Sequence, residues 1–184
     1  MVITCILFAI FVISDQLLKW YTQKEAFVNF VAIKFGNYNF LTLDYHLNTG
    51  MAWSLLSDST WLLVIISVIA SIVLEYFCLK NDWKHNKLRS ISLTLAFAGC
   101  FGNLIDRFIC ITPLKEARGG VVDMISFGPL NSLSQLISHT DFPTFNLADT
   151  FLVIGLILLA IYLLFFEGKD KNEKTSRKKW FKRH

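Results

Sequence analysis

Charged residues are scarce in this sequence of 184 residues. Only 17% of the chain is Asp, Glu, Lys or Arg, against roughly 25% in an ordinary soluble domain. Hydrophobic residues reach 54%, and the mean hydropathy is +0.48. This balance excludes an ordinary soluble globular protein, and the length predicts one domain of an integral membrane protein.

Several motifs of hydrolase and binding chemistry are also missing. There is no His-Glu-x-x-His pair for zinc, and the four histidines are dispersed. Neither Gly-x-Ser-x-Gly nor a glycine-rich phosphate loop occurs. The four cysteines form no Cys-x-x-Cys pair and lie in or beside apolar stretches, so they predict no disulfide framework and no metal site. We therefore predict a protein that uses no metal and no cofactor.

Long apolar runs are what the sequence has instead. They cover residues 2–21, 61–79, 91–111 and 146–166, and each is close to the roughly 20 residues with which a helix crosses the hydrocarbon core. The first run has no basic stretch before it and no small-x-small cleavage site after it, so we predict a retained span. The expected fold is an all-α polytopic membrane protein, with four transmembrane helices in a membrane-embedded domain of residues 1–167.

The basic residues predict the orientation of these spans. The net charge of +4 would suit nucleic-acid binding, but eight of the 18 Lys and Arg residues lie in the tail 168–184 and four more in residues 80–89. Because basic residues concentrate on the cytoplasmic side, we predict that both termini and the 80–89 connection are cytoplasmic. Residues 22–60 and 112–145 then face outside. The tail is expected to lie near anionic membrane lipid, and no nucleic-acid partner is expected.

The first outer segment has the composition of strands. Residues 27–33 and 39–45 are rich in aromatic and β-branched residues, with Gly36-Asn37 between them as a turn signal. They predict a small antiparallel sheet within an outer β-region of about residues 27–54. In the second outer loop, residues 121–125 are bounded by glycine and predict a short strand or an extended loop.

Ionisable residues at span ends raise functional questions because burying them in lipid is costly. Asp15 and Lys19 are one helical turn apart and can form an ion pair. Asn103, Asp106 and Arg107 are related by three and four residues and share one face of the third span. A simple interfacial Asp–Arg pair is the alternative explanation for that face.

Two further acids have plain explanations when each is taken alone. Asp123 follows two valines in the second outer loop and can be a solvated loop acid. Asp149 stands three residues after Asn146, as in a capping box at a helix start. The topology, however, places Asp15, Asp106, Asp123 and Asp149 at one outer membrane level, where acids scattered for structural reasons would not be expected to gather.

Paired carboxylates can hydrolyse a peptide bond without a metal. Two adjacent carboxyls share one proton, so that one deprotonates water while the other hydrogen-bonds the scissile carbonyl. The residues alone also leave open a small transporter or proton-coupled channel with an outer acidic site, and a membrane assembly factor that is not an enzyme. The absence of an internal repeat weakens an inverted-repeat transporter.

Five motifs carry a resemblance to a known family. In chain order they are Asp15-Gln16-x-x-Lys19, Asn48-Thr49-Gly50-Met51-Ala52-Trp53-Ser54, Gly102-Asn103-Leu104-Ile105-Asp106-Arg107, Val121-Val122-Asp123-Met124-Ile125 and Phe145-Asn146-Leu147-Ala148-Asp149. Together they resemble the motif set of the bacterial lipoprotein signal peptidases (signal peptidase II). The resemblance spans about residues 15–155, which is nearly the whole membrane domain.

The resemblance implies roles for the residues. Asp123 and Asp149 match the catalytic aspartates of the family. Five residues match positions that line or support the site: Asn103, Arg107, Asn146, Asn48 and Gly50. Three match structural polar positions: Asp15, Lys19 and Asp106.

The resemblance also implies a substrate and a location. The substrate would be a diacylglyceryl-modified prolipoprotein, cleaved just before its lipidated cysteine by a monomer in the cell (inner) membrane whose site faces the periplasm. Globomycin-type cyclic peptides would be expected to bind there. The sequence departs from the family pattern at Trp53, where Phe is usual, and in residues 126–144, which are longer than usual and can form an extra outer helix or flap.

Overall fold

The protein is described by a computed structural model. The described residues are 1–25, 30–48, 60–81, 83–84, 86–112 and 120–167. Gly50, Trp53 and the basic tail 168–184 lie outside these residues, so their predicted roles stay predictions. The elements in chain order are α1 (Val2–Glu25), β1 (Phe30–Phe35), β2 (Tyr38–Asn48), α2 (Thr60–Leu79), α3 (Lys87–Ile111), β3 (Val121–Phe127), α4 (Gly128–Ser138) and α5 (Leu147–Phe165).

Four of the helices are long and apolar enough to cross a membrane: α1, α2, α3 and α5. They correspond to the four predicted spans, so the prediction of a helical membrane protein with four such helices is confirmed. The helices α1 and α3 extend beyond their apolar runs, to Glu25 and back to Lys87. Hydropathy marks the lipid-covered part of a helix, whereas the backbone hydrogen bonds continue into flanking polar turns.

The helix α3 lies at the centre of the bundle and packs against α1, α2 and α5. Its contact with α5 depends on two glycines. A Cβ added at Gly99 would come within 2.9 Å of the Cα of Leu152, and one at Gly155 within 3.0 Å of the Cα of Ala96. Glycine lets two membrane helices approach at backbone distance, and this approach holds the C-terminal half of α3 beside the beginning of α5.

The three strands form one antiparallel sheet in the order β1-β2-β3. The predicted turn between the first two strands is present at Gly36, whose φ of 58° suits a residue without a side chain. The third strand comes from the segment between α3 and α5, where the sequence left a choice between strand and loop. Residues from both loops therefore meet in a single sheet.

A bulge in β2 sets the faces of this sheet. Thr42 pairs with Ser126 and His46 with Asp123, so four steps along β2 match three steps along β3. The extra residue changes the side-chain alternation of β3 relative to β2. His46 is thereby placed beside Asp123, and Thr42 beside Ser126.

The long segment 126–144 contains an additional helix, α4, as the sequence suggested. After α4 the chain returns to the sheet, where Phe145 exchanges backbone hydrogen bonds with Ile125 at 2.7 and 3.0 Å. This bridge fixes the residue that directly precedes Asn146. The start of α5 is thus anchored to the strand that carries Asp123.

Candidate active site

Asp149 belongs to the capping box at the start of α5 and also takes part in a side-chain network. Asn146 Oδ1 accepts a hydrogen bond from the backbone N–H of Asp149 at 2.8 Å, and Asp149 Oδ2 accepts one from the backbone N–H of Asn146 at 3.1 Å. The predicted capping box is therefore present. The second carboxylate oxygen, Oδ1, accepts a hydrogen bond from Asn103 Nδ2 at 2.7 Å. Asp149 can therefore complete the capping box and still take part in the candidate site.

Asp123 lies in β3 with only 4% of its surface exposed. Its Oδ1 accepts a hydrogen bond from Asn146 Nδ2 at 2.7 Å, and its Oδ2 accepts one from Asn48 Nδ2 at 2.9 Å. A solvated loop acid would have neither this burial nor these partners. Asn146 therefore contacts both aspartates, one through its side-chain amide and the other through the capping box.

Asn103 extends the network from α5 into α3. Its Oδ1 accepts hydrogen bonds from Asn146 Nδ2 and from Lys19 Nζ, both at 3.0 Å. With its Nδ2 committed to Asp149, the orientation of its amide is fixed. The amides of Asn103 and Asn146 are thereby held in a defined order behind the two carboxylates.

Lys19 is fully buried and contacts three side chains. Its Nζ lies 2.8 Å from Asp15 Oδ2 and 2.7 Å from Asp106 Oδ2, in addition to the hydrogen bond to Asn103. The predicted Asp15–Lys19 pair is present. A buried ammonium is stable only when it is paired and hydrogen-bonded, and here two carboxylates from different helices provide that pairing.

The alternative of an Asp106–Arg107 pair is wrong. Asp106 is buried and turned toward Lys19, whereas Arg107 Nη1 donates a hydrogen bond to Ser67 Oγ of α2 at 3.1 Å. Consecutive residues of a helix point in different directions, so the two side chains reach different neighbours. Only Asn103 and Arg107 of the predicted polar face line the cavity described next.

A cavity of about 750 Å³ contains both candidate catalytic aspartates. Its polar lining includes Asp123, Asp149, Asn103, Arg107 and Asn48. Apolar residues line the rest, among them Leu130, Phe142, Val153 and Ile154. Val153 and Ile154 are also about half exposed on the outer surface of α5. The cavity therefore joins a pair of acids to an apolar surface of a membrane helix.

The pKa of Asp123 is raised from 3.8 to about 7, mainly by burial and in addition by the negative charge of Asp149. The hydrogen bonds from Asn48 and Asn146 and the charge of Lys19 act against this shift. A carboxyl group with such a pKa can hold a proton near neutral pH. The described residues contain no group of three or more His, Cys, Asp or Glu that could hold a metal ion.

Several cavity residues were not identified from the sequence. His46 lines the cavity beside Asn48, as do Leu130 and residues 142–145. The only sequence signal for His46 is its spacing of two from Asn48 along a predicted strand, which places both on one face. Residues 142–144 carried no signal for the site, because their position depends on the pairing of Phe145 with β3.

Known proteins resemble this chain over nearly its full length. Residues 7–165 match the family model described as signal peptidase (SPase) II. Lipoprotein signal peptidases from Staphylococcus aureus strains bovine RF122 / ET3-1 and JH9 are each 37% identical over 177 residues, which cover 95% of this chain and 93% of theirs. These matches favour a peptidase over the transporter alternative.

Two solved structures, both described as a bacterial membrane enzyme, have the same fold. One, at 2.3 Å resolution, has a TM-score of 0.69 and 33% identity, and covers 95% of this chain and 92% of its own. The other, at 1.9 Å resolution, has a TM-score of 0.68 and 31% identity, and covers 90% of this chain and 95% of its own. The similarity therefore extends to the whole arrangement of helices and sheet.

Proposed function

The chain belongs to the signal peptidase II family, which removes signal peptides from prolipoproteins, and we propose that it does so as an aspartic endopeptidase with Asp123 and Asp149 as its catalytic pair. The observation that carries the proposal is the position of Asn146. It hydrogen-bonds Asp123 and forms the capping box with Asp149, so two acids from separate elements face one cavity.

In the proposed reaction the pair begins with one proton, on Asp123. Asp149 takes a proton from water, and the resulting hydroxide attacks the scissile carbonyl carbon while Asp123 hydrogen-bonds the carbonyl oxygen. When the tetrahedral intermediate collapses, the C–N bond breaks and the leaving amine receives a proton from the pair. The pKa of about 7 for Asp123 and the two donors that point at Asp149 support this division of roles.

The apolar side of the cavity suits a lipid-modified substrate. Val153 and Ile154 both line the cavity and face outward from α5, so acyl chains could stay in contact with apolar surface while the cysteine approaches the acids. We infer that the substrate is a diacylglyceryl-modified prolipoprotein cleaved just before the lipidated cysteine. Globomycin-type peptides are expected to compete for the same cavity.

The placement in the membrane follows from the basic residues. With the tail 168–184 and residues 80–89 in the cytoplasm, the sheet, α4 and the cavity lie at the extracytoplasmic face of the cell membrane. We infer that the enzyme acts as a monomer, because both candidate catalytic aspartates come from one chain. No cofactor enters the proposed chemistry.

The test is cleavage of a diacylglyceryl-modified prolipoprotein by purified protein in detergent. Asp123→Asn and Asp149→Asn keep the side-chain shape but remove the titratable acid, and each is expected to lower kcat by about 10²- to 10⁴-fold, the usual contribution of general acid–base catalysis. Glu75→Gln, at an exposed position of α2, is the matched control and should keep full activity. Near-normal turnover by either aspartate variant would refute the dyad.

A further inference from the structure

A second cavity of about 370 Å³ adjoins the active-site cavity. His46, Phe142 and Thr144 line both cavities and form their common wall. The second cavity has a mostly polar lining. Besides His46 and Thr144, its polar residues are Asn39, Thr42, Asp44, Ser126, Asn131 and Asp141.

The strand β2 runs along both cavities: Thr42, Asp44 and His46 line the second cavity, and His46, Leu47 and Asn48 line the first. Asn48, at one end, hydrogen-bonds the candidate catalytic Asp123, and Thr42, at the other end, pairs with Ser126 in the second cavity. An extended peptide that lies along β2 from the dyad would therefore pass directly over the second cavity.

The second cavity offers acceptors and negative charge. Asp44 and Asp141 contribute carboxylates, and no Lys or Arg is among its lining residues, all of which are described. Asp44 Oδ2 lies 2.9 Å from His46 Nε2, and Asp141 Oδ1 accepts a hydrogen bond from Gln135 Nε2 at 2.9 Å. Asn131 Nδ2 donates a hydrogen bond to Ser126 Oγ at 2.9 Å, but its Oδ1 is buried and has no hydrogen-bond partner among the described residues. A bound ammonium or guanidinium group would pair with the carboxylates of Asp44 and Asp141 in this cavity.

The chemistry of the substrate decides which part of it reaches this cavity. A signal peptide is apolar and stays in the bilayer, whereas the mature chain is polar and leaves into water. We propose that the second cavity binds a basic side chain, Lys or Arg, on the mature side of the cleavage site. This inference rests on the proposed peptidase function and adds a charge preference to it.

The geometry of the strand predicts the position of the basic residue. Asp44 is four residues from Asn48 along β2, which is about 13 Å at the usual rise of a strand. A substrate in extended conformation covers that distance in about four residues. The preferred basic residue is therefore expected about three to five residues after the lipidated cysteine.

The experiment compares synthetic diacylglyceryl prolipoprotein peptides that carry either Lys or Gln at one position, scanned from the second to the eighth residue after the cysteine. For the wild-type protein, kcat/KM is expected to be about fivefold higher with Lys than with Gln at the third to fifth positions, the size of a partly screened ion pair. The ratio should fall toward one in high salt, because salt screens such pairs.

The variant Asp44→Asn combined with Asp141→Asn is expected to abolish the preference for Lys while it cleaves the Gln peptides at the wild-type rate. Normal cleavage of the Gln peptides also shows that the variant is folded. Glu75→Gln, at a position that lines neither cavity, should retain the preference. Asp141→Asn alone should reduce the preference partially.

The results separate this inference from the peptidase proposal. If the wild-type protein cleaves none of the peptides, the proposed function is wrong. If it cleaves them all without a preference for Lys, the second cavity is not a charge-selective subsite and only the further inference is wrong. A preference that survives in the double variant would equally contradict it.

Discussion

At the scale of single residues, the proposed chemistry depends on the protonation of Asp123. The active form of the pair holds one proton, and that proton is lost as the pH rises through the pKa of about 7. We therefore expect kcat/KM to fall above pH 7, and to fall by about tenfold per pH unit well above it. The apparent pKa of this fall belongs to the pair of carboxyl groups. A pH–rate profile of the wild-type protein measures this fall, which is the basic limb of the profile.

The same profile of Asn48→Ala tests the cause of the pKa. The hydrogen bond from Asn48 Nδ2 favours the ionised form of Asp123 and so lowers its pKa. Removing this donor should raise the pKa and move the basic limb to higher pH, whatever happens to the maximum rate. Asn131→Ala, in the second cavity, is the control and should leave the midpoint in place. An unchanged midpoint in Asn48→Ala would mean that the limb belongs to another group.

At the scale of elements, the contact between α3 and α5 decides where Asn103 meets Asp149. Gly155 lies against the backbone of α3 at Ala96, so Gly155→Leu must push the two helices apart. Overpacking of this kind typically costs about 1–3 kcal/mol, and the displacement should also weaken the Asn103–Asp149 hydrogen bond of 2.7 Å. We expect a lower midpoint of thermal unfolding in detergent together with reduced cleavage.

The matched control for this substitution is Ala160→Leu, on the exposed surface of the same helix. It adds the same side chain where lipid or detergent can accommodate it, so stability and activity should both stay close to wild type. If Gly155→Leu and Ala160→Leu behaved alike, the close approach at Gly155 would not determine the arrangement of the site.

At the scale of the whole molecule, the sequence predicted local features better than distant contacts. The four spans follow from hydropathy, the Asp15–Lys19 pair from helical spacing, and the capping box of Asn146 and Asp149 from a local motif. Each depends on residues that are close in sequence. The resemblance then identified Asp123 and Asp149 as the catalytic pair. Composition and spacing alone had left a peptidase as one of several possible functions.

The partners across the fold could not be predicted in the same way. Nothing in the spacing of Asp106 and Arg107 indicates which neighbours they contact. The Asp106 carboxylate turns to Lys19 of α1, and the Arg107 guanidinium turns to Ser67 of α2. The bulge that places His46 beside Asp123 depends on the pairing of β2 with β3. Such contacts are determined by how helices and strands pack, and a single sequence does not specify that packing by periodicity alone.

Lys19 joins three membrane helices, and its substitution should therefore affect the molecule as a whole. It belongs to α1 and pairs with Asp106 of α3, while its other partner, Asp15, accepts a hydrogen bond from the backbone N–H of Ala148 in α5 at 2.9 Å. Lys19→Met would leave two buried carboxylates without their cation. Breaking a buried pair in this way costs about 3–5 kcal/mol, so we expect a large drop in the thermal unfolding midpoint in detergent.

Lys19→Met combined with Asp15→Asn and Asp106→Asn removes all three charges and should regain most of that stability, because the cost arises from the unpaired carboxylates. Equal destabilisation of the single and triple variants would instead mean that Lys19 acts through its packing and its hydrogen bond to Asn103.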